Sequence, residues 1–377
     1  MRVLFATNPH IGHTFPTIAL AWALRSAGHE VLLATTGDGL TAAGAGLQVA
    51  DVAPDCDMAA LRTTIAAECP DIVRRLTENP PRDLSLMSVM WARMAAGELG
   101  DGTVEVARAW RPDLVVHSQM WSAGTLAAAA LGVPAVSHGY GFARSGDLET
   151  AQFTDHMADA RERHTAARLP ARLVLDVAPP SMVTPEPGGR TVRYVPYNGG
   201  GVLPPWLLEN PGRPRIAVTL GTMAPKLTGL GPVEHLFRHA PDVDAEFVLA
   251  LGDIDLSSLG DLPANVRPCG WLPLGALLPT CAGIVHHGGA GTTMTAAGAG
   301  VPQLMLPDGA DRHINADAAT ARGLALAAAP EDLTPDLLRR LTEDDKLAHA
   351  AAEVRAETAT LPGPADLVPD LVRFATA

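Results

Sequence analysis

Short apolar runs alternate with segments of helical periodicity along most of the chain. Arg2–Thr7 is a continuous apolar run, and Ile11-Gly12-His13-Thr14 after it is a turn. Phe15–Ala27 places apolar residues at helical spacing, and Gly28 suits a helix stop. Glu30–Thr35 is a second apolar run. Strand, helix and strand make one βαβ unit, and the right-handed crossover makes its sheet parallel. The order recurs at Asp113–His117, Ser122–Leu131 and Pro134–Ser137. Ala59–Arg108, in between, is mostly helical in pattern, with Met87, Met90, Trp91 and Met94 on one face.

The pattern breaks after Tyr194. Pro196-Tyr197-Asn198-Gly199-Gly200-Gly201 and Asn210-Pro211-Gly212-Arg213-Pro214 form a turn-rich connector. Apolar runs then resume at Arg215–Leu220, Glu246–Leu251, Ile284–His286 and Gln303–Leu306, with helical patterns at Thr292–Ala299 and Arg340–Thr360. Pro362-Gly363-Pro364 stops the last of these before a final helix, Ala365–Phe374. The expected fold is α/β, with two Rossmann-like, doubly wound parallel-sheet domains facing across a deep cleft. We place the N-terminal domain at 1–195, the linker at 196–213 and the C-terminal domain at 214–361. The helix in 362–377 is expected to pack back on the first domain.

Length supports two domains, since 377 residues exceed the ~150 of one ordinary core. A composition of 47% hydrophobic and 18% charged residues argues against disorder. The net charge of −13 comes without a basic cluster, which argues against a nucleic-acid partner. Cys56, Cys69, Cys269 and Cys281 form no CxxC pair, and free buried thiols in a reducing compartment are expected. The start of the chain does not read as a signal peptide. The uncharged runs Leu114–Ala143 and Cys281–Pro307 are broken by Pro, Gly and polar residues, so they read as buried strand–turn–helix units and not as membrane spans. A soluble cytoplasmic protein is expected, as a monomer or homodimer.

The strongest chemical signal is Val285-His286-His287-Gly288-Gly289-Ala290-Gly291-Thr292-Thr293, where a strand ends, glycines turn and a helix starts. Glycines let backbone N–H groups approach an anion closely, and a helix N-terminus adds about half a positive charge. Thr292 and His287 add side-chain donors, His287 positive if protonated. The stretch reads as a diphosphate cradle that contains no lysine.

With that stretch identified, the chain resembles the GT-B-fold glycosyltransferases of actinomycete antibiotic, polyketide and enediyne pathways, related to UDP-glycosyltransferases. The resemblance runs nearly end to end. Gly12-His13-Thr14-Phe15-Pro16 is similar to the family's GHxxP turn, and Leu220-Gly221-Thr222 to a donor-site turn. Gly270-Trp271-Leu272-Pro273, the His286–Thr292 stretch, Gly300-Val301-Pro302-Gln303 and Asp311-Arg312-His313-Ile314-Asn315-Ala316 follow in the order of the donor signature. The resemblance implies that His13 is the catalytic base. It implies that Trp271 stacks on the nucleobase while the Leu272 backbone reads the base edge. It implies diphosphate contacts from His287, Gly288, Gly289, Ala290, Gly291 and Thr292, a further donor-site contact at Gly221 and Thr222, and sugar contacts from Asp311. A neutral-range histidine suits the task, because general base catalysis is worth ~10²–10⁴-fold. His10 is a second candidate, outside the matched turn.

Three departures bear on substrate. Eight positions after His287, UDP-sugar enzymes of the family carry Glu, which binds both ribose hydroxyls; here Thr295 stands. A thymidine nucleotide lacks the 2′-hydroxyl, so a TDP-sugar donor is favoured. Arg312 replaces a common Gln and, as a pure donor, alters sugar recognition. Plant relatives orient the base with an Asp where this chain has Ser118 or Gln119, which leaves open an acidic acceptor or another carboxylate reaching His13.

Weaker features carry less. Asp253-Ile254-Asp255 resembles a metal-binding DxD of another fold, but phosphates held by a helix N-terminus dispense with a metal, and no metal or other cofactor is expected. Gly37-Asp38-Gly39 lies after the wrong strand for a dinucleotide fingerprint. The Ser137–Phe142 loop, with His138 and Phe142, and the Met87, Met90, Trp91, Met94 stripe are candidate walls of an acceptor pocket. The expectation is an inverting enzyme that moves a deoxysugar from a TDP-sugar to a hydroxyl of a large apolar natural-product acceptor. Two other readings remain: an NDP-sugar epimerase on the same fold, and a silent homologue that activates a partner enzyme.

Overall fold

The computed structural model describes residues 1–78, 83–221, 229–252, 254–309 and 311–377, so Thr222 and Asp253 lie outside the described residues. The chain divides into two units, the first comprising 1–180, 184–197 and 361–377, the second 181–183 and 198–360.

The first unit is built on seven strands: β1 (Arg2–Ala6), β2 (Glu30–Thr35), β3 (Val49–Asp51), β4 (Leu114–Ser118), β5 (Ala135–His138), β6 (Arg172–Asp176) and β7 (Arg190–Thr191). They lie in the order β3-β2-β1-β4-β5-β6-β7, every pair parallel. The chain builds outward from β1 to β3, then restarts at β4 on the other side of β1. Such a reversal opens a crevice at the carboxyl ends of β1 and β4.

The second unit repeats the plan with β8 (Arg215–Thr219), β9 (Glu246–Ala250), β10 (Val266–Cys269), β11 (Gly283–His286), β12 (Gln303–Met305) and β13 (Ala325–Ala327). Their order is β10-β9-β8-β11-β12-β13, again all parallel, with the reversal between β8 and β11. Alternate residues feed opposite faces. Ile216 and Val218 join Phe247 and Leu249 in one core, and Ala217 joins Val248 and Ile284 in the other. Both faces are covered, so these strands read as unbroken apolar runs. Full burial of a side chain such as Phe247 is worth ~1.5–3 kcal/mol.

The structure changes several expected boundaries. The helix expected over Phe15–Ala27 begins earlier, at Ile11–Thr14, tightens to a 3₁₀ turn at Phe15–Thr17 and continues as Ile18–Ser26. Pro16 sits in the opening positions of the 3₁₀ turn, where a missing N–H is tolerated, so the helix tightens without breaking. His13 is therefore helical and not in a turn. The helix expected over Arg340–Thr360 is two, Pro335–Glu343 and Asp345–Thr360. Asp344 divides them, its carboxylate accepting the amides of Lys346 and Leu347 and pairing with Arg340. Strands β3, β6, β7, β10 and β13 were not expected. β10 carries Pro268 and two exposed residues, as an edge strand can.

The closing segments Pro364–Leu367 and Val368–Thr376 belong to the first unit, where the Arg193 amide donates to the Pro362 carbonyl at 2.8 Å. The four cysteines are free; only Cys69 is fully buried, and burial pushes the Cys269 and Cys281 thiols up to about 11 and 12. Among the described residues no helix is long and apolar enough to cross a membrane.

One close crossing locks the first unit. Helix Glu98–Trp110 passes Val52 so tightly that a Cβ at Gly102 would overlap the Val52 carbonyl oxygen. Gly102→Ala should cost about 1–3 kcal/mol of stability by overpacking. Gly298→Ala, in open space on helix Ala290–Ala299, should be neutral or stabilising by up to about 1 kcal/mol. Urea denaturation of both variants checks the pair, and equal midpoints would contradict the crossing.

Candidate active-site elements

His13 lies past the carboxyl end of β1, beside the reversal of the first sheet. Its helix is seated on polar side chains: the Thr14 hydroxyl meets Thr7 Oγ1 at 2.8 Å and the Thr35 hydroxyl donates to the Thr7 carbonyl at 3.2 Å. Gly39 packs against Thr35 and Thr14, and its amide donates to the Pro9 carbonyl at 2.7 Å, so the glycine pair at 37 and 39 supports this helix. The imidazole of His13 is 8% exposed and stands between two rings. Trp91 meets it edge-on at 5.0 Å between centroids, and Tyr140 is tilted against it at 4.2 Å. Burial, with a smaller contribution from His10, pushes the His13 pKa down to about 3, so the ring is neutral near pH 7.

The glycine turn follows β11 at the reversal of the second sheet. Its geometry is set by a buried neutral histidine. The Gly288 amide donates to Nδ1 of His286 at 3.1 Å, so Nε2 carries the proton and donates to Gln303 Oε1 at 2.9 Å. Burial holds His286 at about 4, which keeps that tautomer uncharged. Gly288 has φ +84, a conformation that favours glycine. Thr293 makes the first amide bond of the following helix, to the Gly289 carbonyl, so by helix geometry the amides of Ala290, Gly291 and Thr292 point past its start.

His287 packs its ring on two glycines. A Cβ at Gly221 would stand 2.6 Å from His287 Cε1, and one at Gly289 would overlap Nε2. Burial, then Arg312 and His286, holds its pKa well below the ordinary value. The sequence allowed a charged His287; the folded chain presents a neutral one. Gly221 follows β8 with φ +67, its amide donating to Thr219 Oγ1.

Trp271 is 47% exposed and Leu272 is buried. Asn198, read from sequence only as part of a connector, organises this corner. Its carbonyl accepts the Trp271 indole N–H at 3.2 Å, its Oδ1 accepts the Gly275 amide at 3.0 Å, and its Nδ2 donates to Thr295 Oγ1 at 3.4 Å. Thr295 Oγ1 in turn donates to the Gly291 carbonyl at 2.6 Å. Gly199, with φ +78, lies flat under the indole, where a Cβ would stand 2.8 Å from Nε1. A glycine run beside an asparagine is too common in linkers to signal this role.

Asp311 opens helix Arg312–Arg322, and burial raises its pKa. Asn315, buried and given no role of its own within the motif, ties the region together: its Nδ2 donates to Asp311 Oδ2 at 3.0 Å and to the Gly288 carbonyl at 2.9 Å. Arg312 turns back to the Asp308 carbonyl at 2.7 Å, with its guanidinium 13% exposed.

The candidate acceptor walls differ in burial. Trp91 and Met94 are buried on helix Ser85–Ala96, Trp91 touching His13, while Met87 and Met90 are half-buried. His138 and Phe142 lie inside the fold, 4% and 1% exposed, with the His138 ring bonded to the Gly139 carbonyl at 2.7 Å. Asp255, from the DxD, accepts the amide and hydroxyl of Ser257. Among the described residues no group of three or more His, Cys, Asp or Glu side chains is placed to hold a metal.

The chain matches the erythromycin biosynthesis protein CIII-like N-terminal domain over residues 22–221 and the corresponding C-terminal domain over 234–374. It is 41% identical over 368 residues to elloramycin glycosyltransferase ElmGT of Streptomyces olivaceus, covering 97% of this chain and 95% of that protein. Among solved structures it is similar to the glycosyltransferase SnogD from Streptomyces nogalater, with a TM-score of 0.87, 42% identity and 100% and 99% of the two chains covered. It is also similar to the glycosyltransferase VinC in complex with dTDP, with a TM-score of 0.80, 33% identity and both chains fully covered.

Three interior histidines make stability depend on pH. Burial pushes His13 to about 3 and His138 and His286 to about 4. Unfolded, they take up protons near ~6.5. Between these values the unfolded chain holds more protons, so stability rises with pH in that window and is lost as pH falls through it. Each histidine contributes up to ~1.4 kcal/mol per pH unit there. Urea midpoints should be level above about pH 7 and fall steeply between about pH 6 and 4.5; a level profile to pH 4.5 would mean that these rings are hydrated.

Proposed function

The chain belongs to the erythromycin biosynthesis protein CIII-like family and is a GT-B glycosyltransferase, and from that premise we propose that it moves a deoxysugar from a TDP-sugar to a hydroxyl of a bulky apolar natural-product aglycone, with inversion at the anomeric carbon. The observation that carries the donor half is the turn locked by His286, with helix Ala290–Ala299 opening behind it. Fixed amides and a helix dipole favour the charge that grows on a departing diphosphate, and they need no rearrangement as it grows. We assign the diphosphate to Gly288–Thr292 and His287, the nucleobase to Trp271 and Leu272, and the sugar hydroxyls to Asp311. Asn315 holds one Asp311 oxygen and leaves the other for a sugar hydroxyl. Arg312, turned toward Asp308, borders this region.

His13 takes the proton of the acceptor hydroxyl. The freed oxygen attacks the anomeric carbon on the face opposite the diphosphate, the bond from that carbon to the phosphate oxygen breaks, and the diphosphate leaves with the electron pair. Met87 and Met90, the half-buried members of the stripe, suit an apolar acceptor. The transfer is proposed to need no metal ion. The working form is proposed as a cytoplasmic monomer or homodimer with no nucleic-acid or membrane partner.

The Thr295 corner supports thymidine over uridine. Its hydroxyl is engaged by Gly291 and by Asn198, which leaves little capacity to bond a ribose 2′-hydroxyl.

His13→Ala should lower transfer by ~10²–10⁴-fold while TDP affinity stays unchanged. Mass spectrometry of the product and calorimetry of TDP binding check the two halves. Retention of full activity would remove His13 from the chemistry. An epimerase would instead isomerise the donor with no acceptor present, and a silent activator would have no use for the histidine.

TDP should bind more tightly than UDP, and Asn198→Ala should weaken TDP about three- to tenfold, the scale of one or two lost hydrogen bonds. Competition calorimetry with both nucleotides reads the two effects. UDP binding as tightly as TDP would overturn the thymidine assignment.

A further inference from the structure

Histidine bases are commonly backed by a carboxylate, which orients the ring and stabilises the imidazolium. His13 has a different setting. Its Nδ1 is buried and meets no hydrogen-bond partner among the described residues. Neither side chain at the position of the carboxylate in plant relatives bonds the His13 ring, although Gln119 Oε1 is buried and meets no partner among the described residues. Ser118 Oγ accepts the Asn8 amide at 3.2 Å, and Gln119 Nε2 donates to the Ala143 carbonyl at 3.2 Å. The buried carboxylate of Glu149 is held by the Met120 amide, the Ser137 hydroxyl and Arg172.

Two aromatic rings flank the histidine instead. Trp91 and Tyr140 face it directly, and two residues along the same segment Phe15 meets Tyr197 at 4.8 Å between centroids. Only 4% of the chain is aromatic, so four rings at one segment is a strong concentration.

We infer that the acceptor hydroxyl is phenolic, on a flat aromatic aglycone, and that Trp91 and Tyr140 are positioning residues that orient His13 where other enzymes use a carboxylate. This rests on the reading of His13 as the base. An imidazole without a carboxylate, enclosed by rings that push its pKa down to about 3, is a weak base. It needs an acceptor that gives up its proton readily. A phenol has a pKa of ~10, against ~15.7 for a hydroxyl as weakly acidic as water, a difference of nearly six orders of magnitude in acidity. The proton passes from the phenol oxygen to the imidazole, and an oxygen electron pair forms the bond to the anomeric carbon. The bond from that carbon to the diphosphate breaks, its electron pair leaves with the diphosphate, and the imidazolium returns its proton to solvent. Rings and methionines also suit a flat acceptor, which they contact by stacking and by polarizable packing.

The test uses the full chain and acceptors that share one ring system. A panel of TDP-hexoses is first screened by TDP release to find an accepted donor. 2-Naphthol is then compared with 2-naphthalenemethanol, and a hydroxyanthraquinone with its hydroxymethyl analogue. The phenols should be favoured at least about 100-fold in kcat/KM, the scale of general base catalysis. Equal rates, a preference for the alcohols, or no turnover of any phenol would overturn the inference. Trp91→Leu and Tyr140→Leu should lower kcat at least about tenfold with TDP affinity unchanged, while Trp91→Phe and Tyr140→Phe keep a ring and stay within about threefold. Unchanged kcat in both leucine variants would refute the positioning role. His13→Ala that still glycosylates the phenol would remove the underlying base assignment, whatever the acceptor preference.

Discussion

Everything chemical in this protein depends on the point where each parallel sheet reverses its order. A parallel sheet must cross over between neighbours, and crossovers on opposite faces diverge where the order turns. In the first unit that point lies between β1 and β4, and His13 follows β1. In the second it lies between β8 and β11, and both the Gly221 turn and the His287 turn follow these strands. Neither place is selected by polarity; both follow from strand order. The polar residues then fill a crevice that the topology had already opened.

Burial is the second constraint. The imidazoles of His13, His138 and His286 are pressed to about 3 or 4, and His287 well below its ordinary value, so these four rings carry no charge near neutrality. For His286 this is structural, since only the neutral ring can accept from Gly288 and donate to Gln303 at once. The same neutrality limits what His287 would do for the diphosphate proposed at its turn. The favourable potential must come from peptide dipoles and hydrogen bonds, and backbone amides are well suited because they do not titrate.

The fold was legible where burial is two-sided. β1, β2, β4, β8, β9 and β11 read as unbroken apolar runs because both their faces pack. Strands of two to five residues such as β3, β6 and β7 were missed because so few positions, several half-exposed, carry no period. The helical start that takes in His13 spans only Ile11–Thr14, too few positions to show a period, and Pro16 lies in the 3₁₀ turn that follows it. Asp344, which divides a long periodic stretch, acts through a side-chain cap that apolar spacing cannot register.

The turn proposed for the donor is local in sequence and the surroundings of His13 are not, for one physical reason. A phosphate cradle is made of consecutive backbone amides, so the glycines and helix start proposed for it must be adjacent in sequence, as those of His287–Thr292 are. Asn198, nearly a hundred residues from its partner Thr295, escaped notice because its role exists only after folding. The wall around His13 has the same character. Trp91 and Tyr140 come from separate elements, and nothing in the spacing of either announces the other. His138 and Phe142 flank Tyr140 in the same segment and are buried as it is. Recognition through the backbone leaves a local trace in sequence, whereas recognition through packed side chains is spread over the chain. A family can therefore keep one donor signature while its acceptor surface changes residue by residue, with no single motif to record the change.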